Sequence, residues 1–369
     1  MTNFLNIAIK PVPIRSWLFA GILVWYISLS VFIFYQWVGP SMDERSDQHI
    51  AADSVTYLAF ADSIREHRQD PLVIARLSSF PNTLWMPVLI ALVFKSTFII
   101  VVANYVAFFA SIALLERSFS FSTKIFVGFL LLNPTTTISL LSVNKEMIDL
   151  LAISLFLFAF RNGRRILLLI ALVLALLNRF EVLVVMATFL VVQTRLNPWR
   201  RKRALTLVLL VILLSIMLPL SLAENLSARF EEASSGGLIA LLDSLEIHFL
   251  FGVAVIPKIA ENFFGMLINP ATWTALSNFS DLANSYILLF NNLASAIVVL
   301  ALIKKHAFSI RSDIVYLAMI GSILMSVSLV IQPRYFYFVY VLLCLRAAQS
   351  RVHFSSDPFL PNSNEAASA

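Results

Sequence analysis

Arg179 and Glu181 lie within "ALLNRFEVLVVM", at the centre of an otherwise almost wholly apolar run from Ile166 to Thr194. Two other apolar runs are broken in the same way, one by "NKE" at Asn144, Lys145 and Glu146, the other by "QPRY" from Gln332 to Tyr335. An arginine binds an oxyanion through bidentate, charge-assisted hydrogen bonds, and a carboxylate can take the proton of a hydroxyl. Charges recessed into apolar segments cost about 2.5–3.5 kcal/mol each on insertion scales, so a ligand site or a pathway is the default reading. The plainer accounts are an incidental ion pair, an acidic residue at a helix N-terminus and a proline turn with an interfacial arginine and tyrosine. Candidate binding residues are therefore Lys145, Glu146, Arg179, Glu181, Arg334 and Tyr335. A second group lies upstream, where Asp43, Glu44, Asp47, His49, Asp53 and Asp62 crowd one segment. Most of these acids need only solvate a loop. Asp53 differs: with Tyr57 and Ala61 at spacing four it opens one face of a helix rather than lying in a charge run, which marks it as a functional candidate. His49 and its acidic neighbours leave a divalent cation open as a cofactor, although no fixed ligand spacing names the metal.

The elements that position these residues follow from composition. Of 369 residues, 59% are hydrophobic and 13% charged, and the mean hydropathy is +0.86, too apolar for a chain whose surface must be polar. The expected class is all-α, a polytopic membrane helical bundle. One cysteine, Cys344, can form no internal disulfide. The net charge of +6 comes from short basic clusters between apolar runs, which anchors cytoplasmic loops and points away from nucleic acid. The run Trp17 to Val38 exceeds a signal-peptide core and is read as a retained first helix.

The clusters "RNGRR" (161–165), "RLNPWRRKR" (195–203), "KKHAFSIR" (304–311) and "RAAQSR" (346–351) belong on the cytoplasmic side by the positive-inside rule. Two clusters on one side require an even number of crossings between them, so 166–194 must be a hairpin with short arms and a recessed external tip. The same parity makes tips of "NPTTTISLLSVNKE" and "QPRY". About ten crossings result, near 17–38, 97–115, 125–142, 147–160, 166–177, 182–194, 204–222, 286–303, 314–331 and 336–346, with both termini cytoplasmic. The apolar piece 84–94 is too short to span and is expected to be re-entrant or interfacial. The chain thus divides into a membrane module over 1–223 with a first external loop at 39–96, a second external loop at 224–285, C-terminal crossings over 286–350 and a disordered cytoplasmic tail at 351–369. Both long loops are expected to contain amphipathic helices, the second around "IHFLFGVAVIPKIAENFFGML", lying on the bilayer.

An acidic loop and recessed arginines on one face suit transfer of a group from a lipid phosphate. In order, the motifs resemble the GT-C superfamily of integral membrane glycosyltransferases that use polyprenyl-phosphate-linked sugars. "DSVTYLAFA" (53–61) is similar to the D-x-x-x-Y-x-x-x-A pattern of that superfamily's catalytic loop, and "PNTLWMPVLIAL" (81–92) to its proline-bounded helix entry. Pro134 with Glu146, "NRFE" (178–181) and "PRYF" (333–336) follow in the family's order. Phe180 stands where an R-P motif has proline, and the tandem acidic pair of many members lies early, at Asp43 and Glu44. The resemblance implies a catalytic carboxylate, Asp53 with Asp43 and Glu44 in reserve, and Tyr57 beside the substrate. It also implies a polyprenyl-phosphate-linked sugar donor and a glycan, lipid or protein acceptor, in a bacterial-type inner membrane at its external face.

Two other functions fit the same inventory. An O-antigen or exopolysaccharide polymerase would use diphosphate-linked repeat units and carry paired arginines in external loops, whereas 224–285 holds only Arg229 and Lys258 as cations of that kind. A transporter or flippase for lipid-linked sugars would show inverted repeats and polar groups on both faces of its path, and no repeat is visible.

Overall fold

The computed structural model describes residues 52–66, 85–94, 96–194, 201–232, 250–268, 282–327 and 333–349, with 24, 197 and 198 as isolated positions. Among them the chain is all helical, without strands. Expectations for 17–38, for Asp43, Glu44 and His49, and for the tail at 351–369 lie outside the described residues, apart from Val24.

The helices are α1 (Ala52–Arg65), α2 (Trp85–Val93), α3 (Thr97–Ser118), α4 (Thr123–Leu132), α5 (Pro134–Leu141), α6 (Glu146–Arg161), α7 (Arg165–Asn178), α8 (Phe180–Gln193), α9 (Arg203–Glu232), α10 (Phe251–Ile268), α11 (Leu282–Lys304), α12 (Asp313–Met325) and α13 (Tyr337–Ala348), with a 3-10 turn at Pro333–Phe336. Their breaks coincide with the polar interruptions of the sequence. Arg179, in extended conformation, separates α7 from α8. Gly163, at φ +63, turns the chain between α6 and α7, a left-handed conformation that glycine adopts without a Cβ penalty.

By length and composition, one described helix is long and apolar enough to cross a membrane, Phe98–Ser118. Five of the other expected crossings fold as helices of 12 to 16 residues, α6, α7, α8, α12 and α13. At ~1.5 Å per residue they reach about 18–24 Å, because the charged turns that delimit them come too often for longer helices. The segment expected to cross at 125–142 is broken at Asn133, where α4 and α5 meet at 85°.

Beside an apolar core, large apolar side chains stand exposed and several charged ones lie buried. Ile166, Ile256, Val191 and Val106 are 77, 73, 65 and 62% exposed, whereas Glu146, Asp149, Arg179 and Lys258 are buried, together with asparagines and serines such as Asn104, Asn178, Asn292 and Ser139. Exposed apolar surface on this scale marks contact with another apolar phase or partner. The central element is α13, buried along nearly its whole length and packed against α12, α11, α4 and α6. Gly321 admits it closely: a Cβ there would lie 2.7 Å from the Phe338 ring.

The basic segments gather at one end. The Arg161 guanidinium lies over the Phe119 ring, Arg203 donates to the carbonyls of Ile310 and Arg311 and pairs with Asp313, Lys305 donates to the Ala347 carbonyl, and Arg346 donates to that of Ala307. The breaks at Asn144–Glu146 and Asn178–Arg179 lie at the far ends of α6 and α7 from these segments, and Tyr335 joins them.

The second long segment departs from expectation. On α10 the polar residues Lys258, Glu261 and Asn262 are buried and Val253, Ile256 and Ile268 are exposed, the inverse of a helix that lies on a bilayer with its polar face in water. Packing against α11 and α9 explains this, since the buried side of α10 carries these polar residues together with Phe251, Ala254, Val255 and Phe263.

Candidate functional site

The site is built on a short helix that an apolar interior would not tolerate unless both its ends were satisfied. At the start of α5, Asn133 Oδ1 accepts from the Thr135 backbone N–H at 2.9 Å, with Pro134 in the first turn, the residue types such a start favours. At its end, Asn104 of α3 donates through Nδ2 to the carbonyls of Ser139 (3.0 Å) and Ser142 (2.8 Å). So fixed, α5 aims its hydroxyls at three partners. Thr135 Oγ1 donates to Asn291 of α11 at 3.1 Å, Thr136 Oγ1 and the Tyr337 hydroxyl lie 3.0 Å apart, and Ser139 Oγ donates to Glu146 Oε2 at 3.3 Å.

Glu146 opens α6, and Asp149 follows it by three residues on the same face. Both are 1% exposed, and Arg179 between them is 4% exposed. Arg179 Nη2 lies 3.1 Å from Glu146 Oε1, and its Nε 3.3 Å from Asp149 Oδ2. Asn178 Nδ2 donates to Asp149 Oδ1 (2.6 Å) and to the Lys145 carbonyl (2.8 Å). The guanidinium lies 5.5 Å from the centre of the Tyr335 ring, whose other contact is Arg334 at 5.6 Å. Three interruptions that stand 33 and more than 150 residues apart in the chain are thus brought into one cluster.

Lys145 is half-buried at the rim, its Nζ 5.9 Å from the Tyr57 ring. Burial, with Arg179 as the second cause, lowers its ammonium from an ordinary value to about 8. Tyr57, Phe60 and Ala61 form the buried face of α1 against α2 and Val143, which sets α1 beside Lys145. Asp53 lies in the first turn of α1, one helical turn ahead of Tyr57.

Two assignments change. Glu181, grouped with Arg179 as a candidate binding residue, is exposed in the first turn of α8 and makes no ion pair with Arg179 at the distances that Glu146 and Asp149 reach. Arg179, in turn, is already matched by two carboxylates, so its charge is largely spent within the protein, although its Nε and Nη1 donate no hydrogen bond. Sequence reasoning missed Asp149 and Asn178. Asp149 had a signal, as the one acid inside an apolar helix three residues after Glu146. Among the described residues no group of three or more His, Cys, Asp or Glu is arranged to hold a metal ion. No protein-family model, curated protein or solved structure matches the chain.

Proposed function

We propose that this chain is an integral membrane glycosyltransferase, of about ten crossings with both termini cytoplasmic, that moves a sugar from a polyprenyl-phosphate-linked donor to a hydroxyl of a glycan, lipid or protein at the external face. The observation that carries this reading is the convergence of the three hairpin tips: cationic Lys145, Arg179 and Arg334, with Tyr335, meet carboxylates Glu146 and Asp149 beneath an otherwise apolar exterior. A lipid phosphate keeps its tail among apolar side chains and brings its anionic head to the membrane boundary, where such a cluster meets it.

Lys145 and Arg334, at the rim, attract the phosphate, and Arg179 Nη1 supplies a donor from beneath. Glu146 and Asp149 hold the guanidinium in one orientation. Asp53 takes the proton of the acceptor hydroxyl; that oxygen forms a bond to the anomeric carbon of the sugar while the bond from this carbon to the phosphate oxygen breaks, and polyprenyl phosphate leaves as the anion. The resemblance of "DSVTYLAFA" to the GT-C pattern supports Asp53 as that base, with Asp43 and Glu44 as the reserve carboxylates, and Tyr57 ties its helix to Lys145.

The test is label transfer by the purified full-length protein in nanodiscs, supplied with radiolabelled polyprenyl-phosphate and polyprenyl-diphosphate sugars and a cell-envelope acceptor extract. Transfer from the monophosphate donors is expected, and Asp53→Asn should lower it by about 10² or more without loss of folding. Transfer from diphosphate donors alone would make the protein a polymerase; translocation of the lipid without transfer would make it a transporter.

A further inference from the structure

A second polar cluster lies away from the hairpin tips, between α10 and α11. Lys258, Glu261 and Asn262 follow one another around a single turn of α10 and are 0, 7 and 3% exposed; Asn291 and Asn292 of α11 are 3 and 1% exposed. Most of the amide donors are spent within the protein. Asn262 Nδ2 donates to the Lys258 carbonyl at 2.9 Å, Asn292 Nδ2 donates to the Asn262 carbonyl at 3.4 Å, and Asn291 Oδ1 accepts from Thr135. What is left over is of one kind. Glu261 Oε2 and Asn262 Oδ1 are buried and accept no hydrogen bond.

Leaving a buried acceptor unmatched is costly, and well-packed apolar residues would hold α10 against α11 at least as firmly. The chain instead makes room for the carboxylate. A Cβ on Gly265 would lie 2.9 Å from Glu261 Oε1, so glycine at that position leaves the side chain its place.

The two clusters are unmatched in opposite senses. At the hairpin tips the guanidinium of Arg179 has donors to spare, beside a single spare acceptor, Asn178 Oδ1; its natural complement is an oxyanion. Between α10 and α11 the unmatched side-chain atoms among the described residues are acceptors, so the complement must bring donors, which a phosphate diester lacks. A small cation would also serve an acceptor pair, but the fully buried Lys258, three and four residues away on the same helix, opposes one. Neutral hydroxyls remain. The clusters are also joined: α5 contacts Asn291 through Thr135 and Glu146 through Ser139, while the turn Pro333–Phe336 sets Tyr335 on Arg179 and Phe336 edge-on to Phe263 of α10, ring centres 5.5 Å apart.

We infer that Glu261 and Asn262, backed by Asn291 and Asn292, form the subsite for the hydroxyls of the transferred sugar, while the hairpin-tip cluster holds its phosphate. This rests on the function proposed above and assigns the two halves of the donor to two separate sets of residues.

The experiment compares two probes on the full-length protein in nanodiscs, bare polyprenyl phosphate and a panel of polyprenyl-phosphate hexoses. The wild type should bind at least one hexose lipid about tenfold more tightly than the bare lipid. Glu261→Gln and Asn262→Ala should remove that preference and leave affinity for the bare lipid unchanged. Gly265→Ala keeps every polar group but crowds the carboxylate, and should weaken the preference severalfold in a protein that folds normally. Equal losses for both probes, or none, would overturn the subsite. So would sodium or magnesium binding abolished by Glu261→Gln with the hexose preference intact, which would make this a cation site. A wild type that binds neither lipid would instead remove the proposed function, and the subsite with it.

Discussion

Arg179 and Arg203 are built alike and placed at opposite ends of the helices. Each guanidinium stacks on a tyrosine, Tyr335 at 5.5 Å and Tyr316 at 5.0 Å, and each pairs with carboxylates from another helix. The surroundings differ. The Arg203 and Asp313 side chains are 21 and 42% exposed, and Arg203 also donates to two loop carbonyls, so it works as a clip between α9 and the start of α12. The Arg179, Glu146 and Asp149 side chains are 5, 1 and 1% exposed, and two guanidinium nitrogens make no hydrogen bond. An exposed pair contributes little because water screens it, whereas a buried one must offset the desolvation of every charge and gives no net advantage over apolar packing. The basic end therefore needs no further explanation, whereas the cost of the buried far cluster is what the proposed phosphate site would account for.

The sharpest way to break the comparison is to remove one carboxylate from each pair. Glu146→Ala or Asp149→Ala strands charge in the interior and should cost about 3–5 kcal/mol, while Asp313→Ala should cost about 0–1 kcal/mol. Denaturant unfolding in mild detergent measures both; equal losses would erase the distinction. The combined variant Arg179→Met, Glu146→Gln, Asp149→Asn removes all three charges at similar volume. It should recover most of the stability and none of the turnover, and recovered turnover would mean that the charges serve folding alone.

A lysine cannot span two carboxylates with a planar fork. Arg179→Lys should therefore weaken binding of the lipid-phosphate donor by about tenfold or more, which is about 1.4 kcal/mol, whereas Arg203→Lys should leave it unchanged; fluorescence-quenching titrations with the donor distinguish them.

Acidity gives the smallest of the effects and tests the rim. Lys145 is charged below about 8, so donor affinity should be level below that pH and decline above it. Stability should move the other way. Between about 8 and the ordinary lysine value of 10.5 the unfolded chain holds a proton that the folded chain has lost, so stability rises with pH across that window. Lys145→Arg should flatten both profiles, and a wild-type affinity that stays level past pH 9 would remove Lys145 from the phosphate site.

Much of the architecture could be read from punctuation. Polar triplets in apolar runs marked the breaks at Lys145, Arg179 and Pro333, and parity from the basic clusters brought these breaks to a common end. The limits of the sequence were specific. A three-residue spacing from Glu146 to Asp149 puts both on one face, but only the packing of α6 against α7 makes them partners of Arg179 rather than a solvated pair. Hydropathy could place α10 as amphipathic, yet not decide which face turns inward, because the answer depends on the asparagines of α11. Helix lengths were overestimated at 125–142, where Asn133 and Pro134 begin a new helix whose far end is satisfied by Asn104, distant in sequence.

The central position of α13 has a consequence for biosynthesis. Tyr337 meets Thr136, and the Ala348 carbonyl accepts from the Ser122 backbone N–H at 3.0 Å, so the helix around which the others close is made after nearly all of them. Until it arrives, Thr136 of α5 lacks its Tyr337 partner, and contacts of such wide separation along the chain form slowly. The contacts of Tyr335 with Arg179 and of Tyr337 with Thr136 therefore close the cluster only after these last helical residues have been made.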